Sequence, residues 1–180
     1  MKPSAHMALV SLLIFSFAGC AYQAPKDINS SFYSPPVGST LTLHRPVTIP
    51  ANDTQVHIQN GQLINSFREL DAYYPNCNFE IRERAEVERT VQPDSFIISR
   101  VVRDTENVML HTPVLIASAS GNGAPGVDYI TIMDLYSPRQ PSVMRMSCQH
   151  WEDPSDSYHL SIKQIRKTLG DLFTLTLADG

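Results

Sequence analysis

Cys148 and His150 stand two positions apart in MSCQH. In an extended segment, residues two apart point to the same face, so an imidazole would lie beside a thiol and could activate it if the thiol were free. The same stretch runs on into His150-Trp151-Glu152-Asp153-Pro154, and Asp156 follows. Carboxylates beside an indole can hold a cation or a sugar, with Trp151 as the stacking platform; a solvated turn after a strand has the same composition. Asp128 and Asp134 share one strand parity. Tyr73-Tyr74-Pro75 offers an aromatic pair, suited to a partner if exposed and to packing around Cys77 if not. His44, His57, His111, His150 and His159 are scattered, and only His44 and His57 could meet, across a Pro50–Asp53 turn. Three or four converging ligands are needed for a metal, and no such set is visible, so neither a metal nor a cofactor is expected. The chain lacks the glycine-rich phosphate loops, the Gly-x-Ser-x-Gly elbow, His-Glu-x-x-His and Ser-x-x-Lys. A catalytic site is therefore not expected.

The elements that would position these residues are short and strand-like. The chain has 180 residues, 42% hydrophobic and 18% charged, with 13 prolines against 8 glycines. That excludes a disordered acidic chain and disfavours a helical bundle. A net charge of −4 leaves no basic surplus for phosphates, which disfavours nucleic acid. Thr40–His44 and Val47–Ile49 flank Pro46, which suits an edge strand or a bulge. Gln55–Gln59 and Gln62–Ile64 flank Asn60-Gly61, a strong hairpin signal. Asn65–Leu70 reads as a helical turn capped by Asn65. Cys77–Ile81 alternates, and we extend that strand into the mixed-charge run as far as about Arg84. Phe96–Arg103, Val114–Ala117, Val127–Tyr136 and Ser142–His150 are further strands, with Gly121–Gly126 as a loop. In the last strand Met144, Met146 and Cys148 share a face.

Near the C-terminus the period changes. Ser161 and Gln164 fit a capping box, Ile162, Ile165, Leu169 and Leu172 recur at helical spacing, and Gly170 follows as a stop. Phe173–Leu177 closes the pattern as a strand. The expected fold is mainly β: an antiparallel sandwich or partly closed barrel with one short C-terminal helix, over residues 40–180 as a single domain. Residues 20–39 are rich in Pro and Ser without strand or helical period and read as a flexible tether, whose Phe32 and Tyr33 could dock on the domain.

The N-terminus is an address. Met7–Phe17 is an apolar run of 11 residues, right for a signal-peptide core and too short for a spanning helix. Phe17-Ala18-Gly19-Cys20 follows, and this run resembles the lipobox of bacterial lipoproteins, with Phe in place of the usual Leu at its first position. The resemblance covers residues 1–20. It implies that residues 1–19 form a signal peptide cut before Cys20, that Cys20 is acylated, palmitate among its chains, and that the lipid anchors the protein to the membrane. Ala21, rather than Asp, implies export to the outer membrane. Loss of Lys2 with the signal would take the net charge from −4 to −5, so lipid and not a basic patch would do the anchoring.

With Cys20 assigned to lipid, Cys77 and Cys148 remain, an even pair in an exported chain. Both fall on apolar faces of expected strands, so we expect a disulfide. The function expected is that of a non-catalytic envelope component, periplasm-facing, that binds or braces an envelope protein. A carrier or sensor of a small apolar ligand, held behind the Met-lined strand, is the alternative.

Overall fold

The computed structural model describes residues 26–64, 66–108, 126–152 and 158–179. The signal segment, Cys20, the Val114–Ala117 strand, residues 121–125 of the expected Gly121–Gly126 loop, His111, Asp153 and Asp156 lie outside the described residues, whereas Gly126 itself belongs to a strand.

The chain forms β1 (Thr40–Leu43), β2 (Val47–Ile49), β3 (Gln55–Gln59), β4 (Gln62–Ile64), β5 (Asn76–Ile81), β6 (Arg89–Val91), β7 (Asp94–Val108), β8 (Gly126–Tyr136), β9 (Val143–Glu152), α1 (Ile162–Leu169) and β10 (Phe173–Thr176). Eight strands make one antiparallel sheet in the order β10-β1-β7-β8-β9-β5-β3-β4, and β2 pairs with β6. The large sheet curls into a half-barrel. The mainly β architecture with one short C-terminal helix is as the turn-punctuated sequence implies.

Alternation sorts the two faces. Rows of paired residues run across the sheet, such as Val101–Met133–Met146–Phe79–Val56, and point to the concave side. There Phe79, Phe96, Phe173, Met133 and Met146 are fully buried, and Phe79 packs its ring at 5.1 Å from that of Phe173. Two bulges keep the parity right along strands too long to curl otherwise. One falls at Ser99, so Phe96 and Ile98 face inward before it and Val101 after it. The other falls at Met144, so Val143 takes the core position that simple alternation gives to Met144, which is only half-buried.

α1 lies across the concave side against β3, β5 and β10 and bridges the two ends of the open sheet. Its N-terminus carries the expected capping box, with Ser161 and Gln164 bonding each other's backbone N–H. It stops at Gly170, whose φ of +54° is open to glycine at little cost. That glycine meets the Asn60-Gly61 turn, where the Gly61 N–H donates to the Thr168 carbonyl at 2.8 Å. At the opposite edge Arg166 donates Nε and Nη2 to the Leu175 carbonyl at 3.0 and 2.9 Å, which occupies the free side of β10.

Several expectations need correction. β1 is not an edge strand: it sits between β10 and β7, and Pro46 instead marks where the chain leaves the large sheet for the β2–β6 pair. β5 ends at Ile81, not near Arg84, because the next residues connect toward β6 rather than continuing beside β9. The turn after β4 is a 3₁₀ turn, Phe67–Glu69, capped by Ser66 rather than Asn65. The tether is not a free linker from Lys26 onward. Ile28 and Tyr33 pack on the core, the Lys163 N–H donates to the Ile28 carbonyl at 3.0 Å, and Gly38 and Ser39 bond the backbone of Ile98. Of the two aromatics of the segment, Phe32, 88% exposed, stands off.

Candidate functional site

Cys77 and Cys148 face each other directly across β5 and β9, with their Cα atoms 4.0 Å apart and their sulfurs at disulfide distance. With the Cys148 sulfur facing Cys77, the thiol–imidazole pairing loses its nucleophile. His150 does share that concave face, but it is buried and its Nε2 bonds the Tyr158 carbonyl at 2.9 Å, with Nδ1 3.5 Å from Glu152. His44 and His57 do not meet, because β1 and β3 are not neighbours: His44 bonds Thr174 and His57 bonds Asn78. Among the described residues, no three His, Cys, Asp or Glu side chains gather to hold a metal ion.

The concave interior is filled with core side chains. Toward its mouth, in the same cross-strand row as Cys77 and Cys148, Arg103 pairs with Thr131 across β7 and β8. Thr131 Oγ1 and two guanidinium nitrogens of Arg103 are buried without hydrogen-bond partners. His159 lies close by, bonded to the Asp104 carbonyl at 3.1 Å. Burial, followed by the nearby Arg103 charge, holds its imidazole below the ordinary histidine value.

The convex side holds the more open site. Glu106, Asp128 and Trp151 form one cross-strand row over β7, β8 and β9, and strand parity turns all three away from the core. Beyond β9 the Trp151 N–H donates to the Ala72 carbonyl at 2.8 Å, which fastens the connection between β4 and β5 alongside. Gln59 holds that connection from below: its side chain donates to the Asp71 carbonyl at 2.8 Å and accepts from the Asp71 N–H at 3.2 Å. The result is a cleft of about 580 Å³ between Phe67, Leu70 and Ala72 on one wall and Glu106, Asp128 and Trp151 on the other. An adjoining hollow of about 440 Å³ continues past Arg68, Asp71 and Tyr73.

Asp128 is unusual among the cleft residues. It is 7% exposed, its Oδ1 has no hydrogen-bond partner, and Glu106 stands directly opposite. Burial pushes its carboxyl up to about 6; the hydrogen bond with the Trp151 side chain works against this, and the Glu106 charge adds to it. By contrast Asp94, equally buried, is fully partnered: Ser137 donates at 2.7 Å, and Arg139 and Gln140 donate as well.

The sequence sets Trp151 beside the acids Glu152, Asp153 and Asp156. Glu152 turns toward His150, and Asp153 and Asp156 lie outside the described residues. Asp128 joins Trp151 in the cleft, whereas Asp134 lies further along the same face between Arg100 and Arg145. Tyr73 and Tyr74 do not pack around the disulfide; they are 56% and 63% exposed, and the Tyr73 ring meets the edge of Trp151 at 5.7 Å. Glu106 is missed because it becomes a neighbour only through the Ser99 bulge and the long β7–β8 register. Its spacing from Asp128 in the chain carries no signal for that. No protein-family model, no curated protein and no solved structure matches this chain.

Proposed function

We propose that the protein is an outer-membrane lipoprotein whose periplasm-facing β domain docks an envelope protein without catalysing a reaction. The apolar run ending in Phe17-Ala18-Gly19-Cys20 supports the anchor, and Ala21 supports the outer membrane. Cys77 and Cys148 at disulfide distance suit an oxidising compartment. The observation that carries the docking role is the convex cleft with its adjoining hollow, lined by Phe67 and Tyr73 at 57% and 56% exposure. Exposed aromatics beside a cleft are what protein interfaces use as anchors. Among the described residues the concave side carries buried core side chains, Phe79, Phe96, Met133 and Met146 among them, which favours docking over the carrier reading.

A photo-crosslinking side chain at Tyr73, in the membrane-anchored protein in living cells, tests this. The expected result is one dominant envelope partner, absent when the same group is placed at Thr48. No adduct from Tyr73 above that control would overturn the docking role.

A further inference from the structure

We propose that the cleft formed by Trp151, Asp128 and Glu106 binds an organic cation, a protonated amine or guanidinium on an apolar stem. This deepens the docking reading of the same cleft and rests on it.

Three observations converge. First, Glu106 and Asp128 are directly opposite across β7 and β8, an arrangement of like charges that costs stability in a sheet. Second, Asp128 is more than nine-tenths buried, lines the cleft, and leaves Oδ1 without a partner. A buried acceptor left unmade is costly, and a donor that arrives with the ligand removes that cost. Third, among the described residues that line the cleft, none is a Lys or Arg that could supply the missing positive charge. Arg68 lines only the adjoining hollow, and residues 109–125 and 153–157 contain neither Lys nor Arg. A neutral sugar would satisfy Oδ1 but leave the two carboxylates repelling each other; a cation answers both.

The walls fit the stem. Phe67, Leu70 and Ala72 are apolar, and the indole face of Trp151 attracts a cation held against it. The volume of about 580 Å³ is ample for a lysine- or arginine-sized group.

Trp151 is the single tryptophan, so its emission reports on the cleft alone. The purified protein is titrated with acetyl-lysine methylamide, agmatine, the uncharged acetyl-norleucine methylamide and a neutral disaccharide. Saturable emission changes with both cations, and none with the norleucine analogue at the same concentrations, are expected. Asp128→Asn and Glu106→Gln should each weaken cation binding by about tenfold or more. Glu106 is exposed on its strand, so its variant tests the site even if Asp128→Asn fails to fold. Spermidine against a short lysine-bearing peptide separates the sources: tighter peptide binding points to a protein side chain, tighter spermidine binding to a free solute. Equal response to the uncharged analogue, response to the disaccharide alone, silence toward both cations, or unchanged affinity in both variants would overturn the proposal. A Tyr73 crosslink without a cation response would keep the docking role and remove only the cation. A cation response without a crosslink would keep the site and remove the protein partner.

Discussion

Asp128 is where the cleft stores its electrostatic cost. A carboxyl whose pKa is higher in the fold than in the unfolded chain holds more protons when folded. From the ordinary 3.8 up to about 6, stability therefore falls as pH rises, and the loss is complete above that window. Asp128→Asn has no charge to lose. At pH 7 the variant should be more stable than the parent by on the order of 1–2 kcal/mol, a figure reduced because the cleft admits water. Near pH 4 that advantage should shrink, and urea midpoints at the two pH values measure the difference. A variant less stable than the parent at pH 7 would mean that Asp128 braces the fold, and would contradict the electrostatic cost assigned to it. Gain of stability with loss of binding is the pattern expected of a residue kept for function.

At the scale of elements, two junctions hold the curled sheet. The Cys77–Cys148 pair joins β5 to β9 across a separation of 71 positions. Replacing both with Ser should cost about 4 kcal/mol if the chain-entropy model holds, read from urea midpoints. A loss under about 1 kcal/mol would show that the strand ladder alone fixes this pair. The second junction is the contact of α1's end with the β3–β4 turn. A methyl built on Gly170 falls 2.6 Å from the Gly61 Cα, and Gly170 has positive φ, so Gly170→Ala should cost about 2 kcal/mol or more. Gly126→Ala meets nothing within 4 Å and serves as the control in the same thermal melts. Parity of effect between the two would refute the bridging role of α1. These elements were largely legible before the fold was known. The capping box, the Asn-Gly turn and strand alternation are local signals, and α1 runs over the same Ile162–Leu169 that they mark. What stayed hidden was non-local. The Ser99 and Met144 bulges shift parity without a residue signature, and the inner place of β1 follows from pairing with β10 at the far end of the chain. The cleft depends on both kinds of information, which is why Trp151 and Asp128 are each visible as candidates in the sequence, whereas their pairing and the neighbour Glu106 are not.

For the whole molecule, the proposed lipid on Cys20 would lie close in the chain to the domain. Ile28 is bonded to the first turn of α1 and packs on the core. Lys26 lies six positions after Cys20, a reach of about 20 Å at full extension. An anchored domain is thus kept close to the bilayer, and a fluorophore at the exposed Phe32 should be quenched by quencher-bearing lipids in membranes of the lipidated protein. The same label in a Cys20→Ser variant should escape quenching; equal quenching in both would argue that something other than Cys20 holds the domain there. The proposed function stands on a lipid anchor joined to an exported, non-catalytic docking domain. Intact-mass spectrometry of the protein extracted from membranes tests it most directly. The predicted result is a chain that begins at Cys20, carries acyl groups on that residue, and keeps Cys77 and Cys148 closed to alkylation until reduced. A chain that retains residues 1–19, or an unacylated Cys20 beside two free thiols, would contradict it.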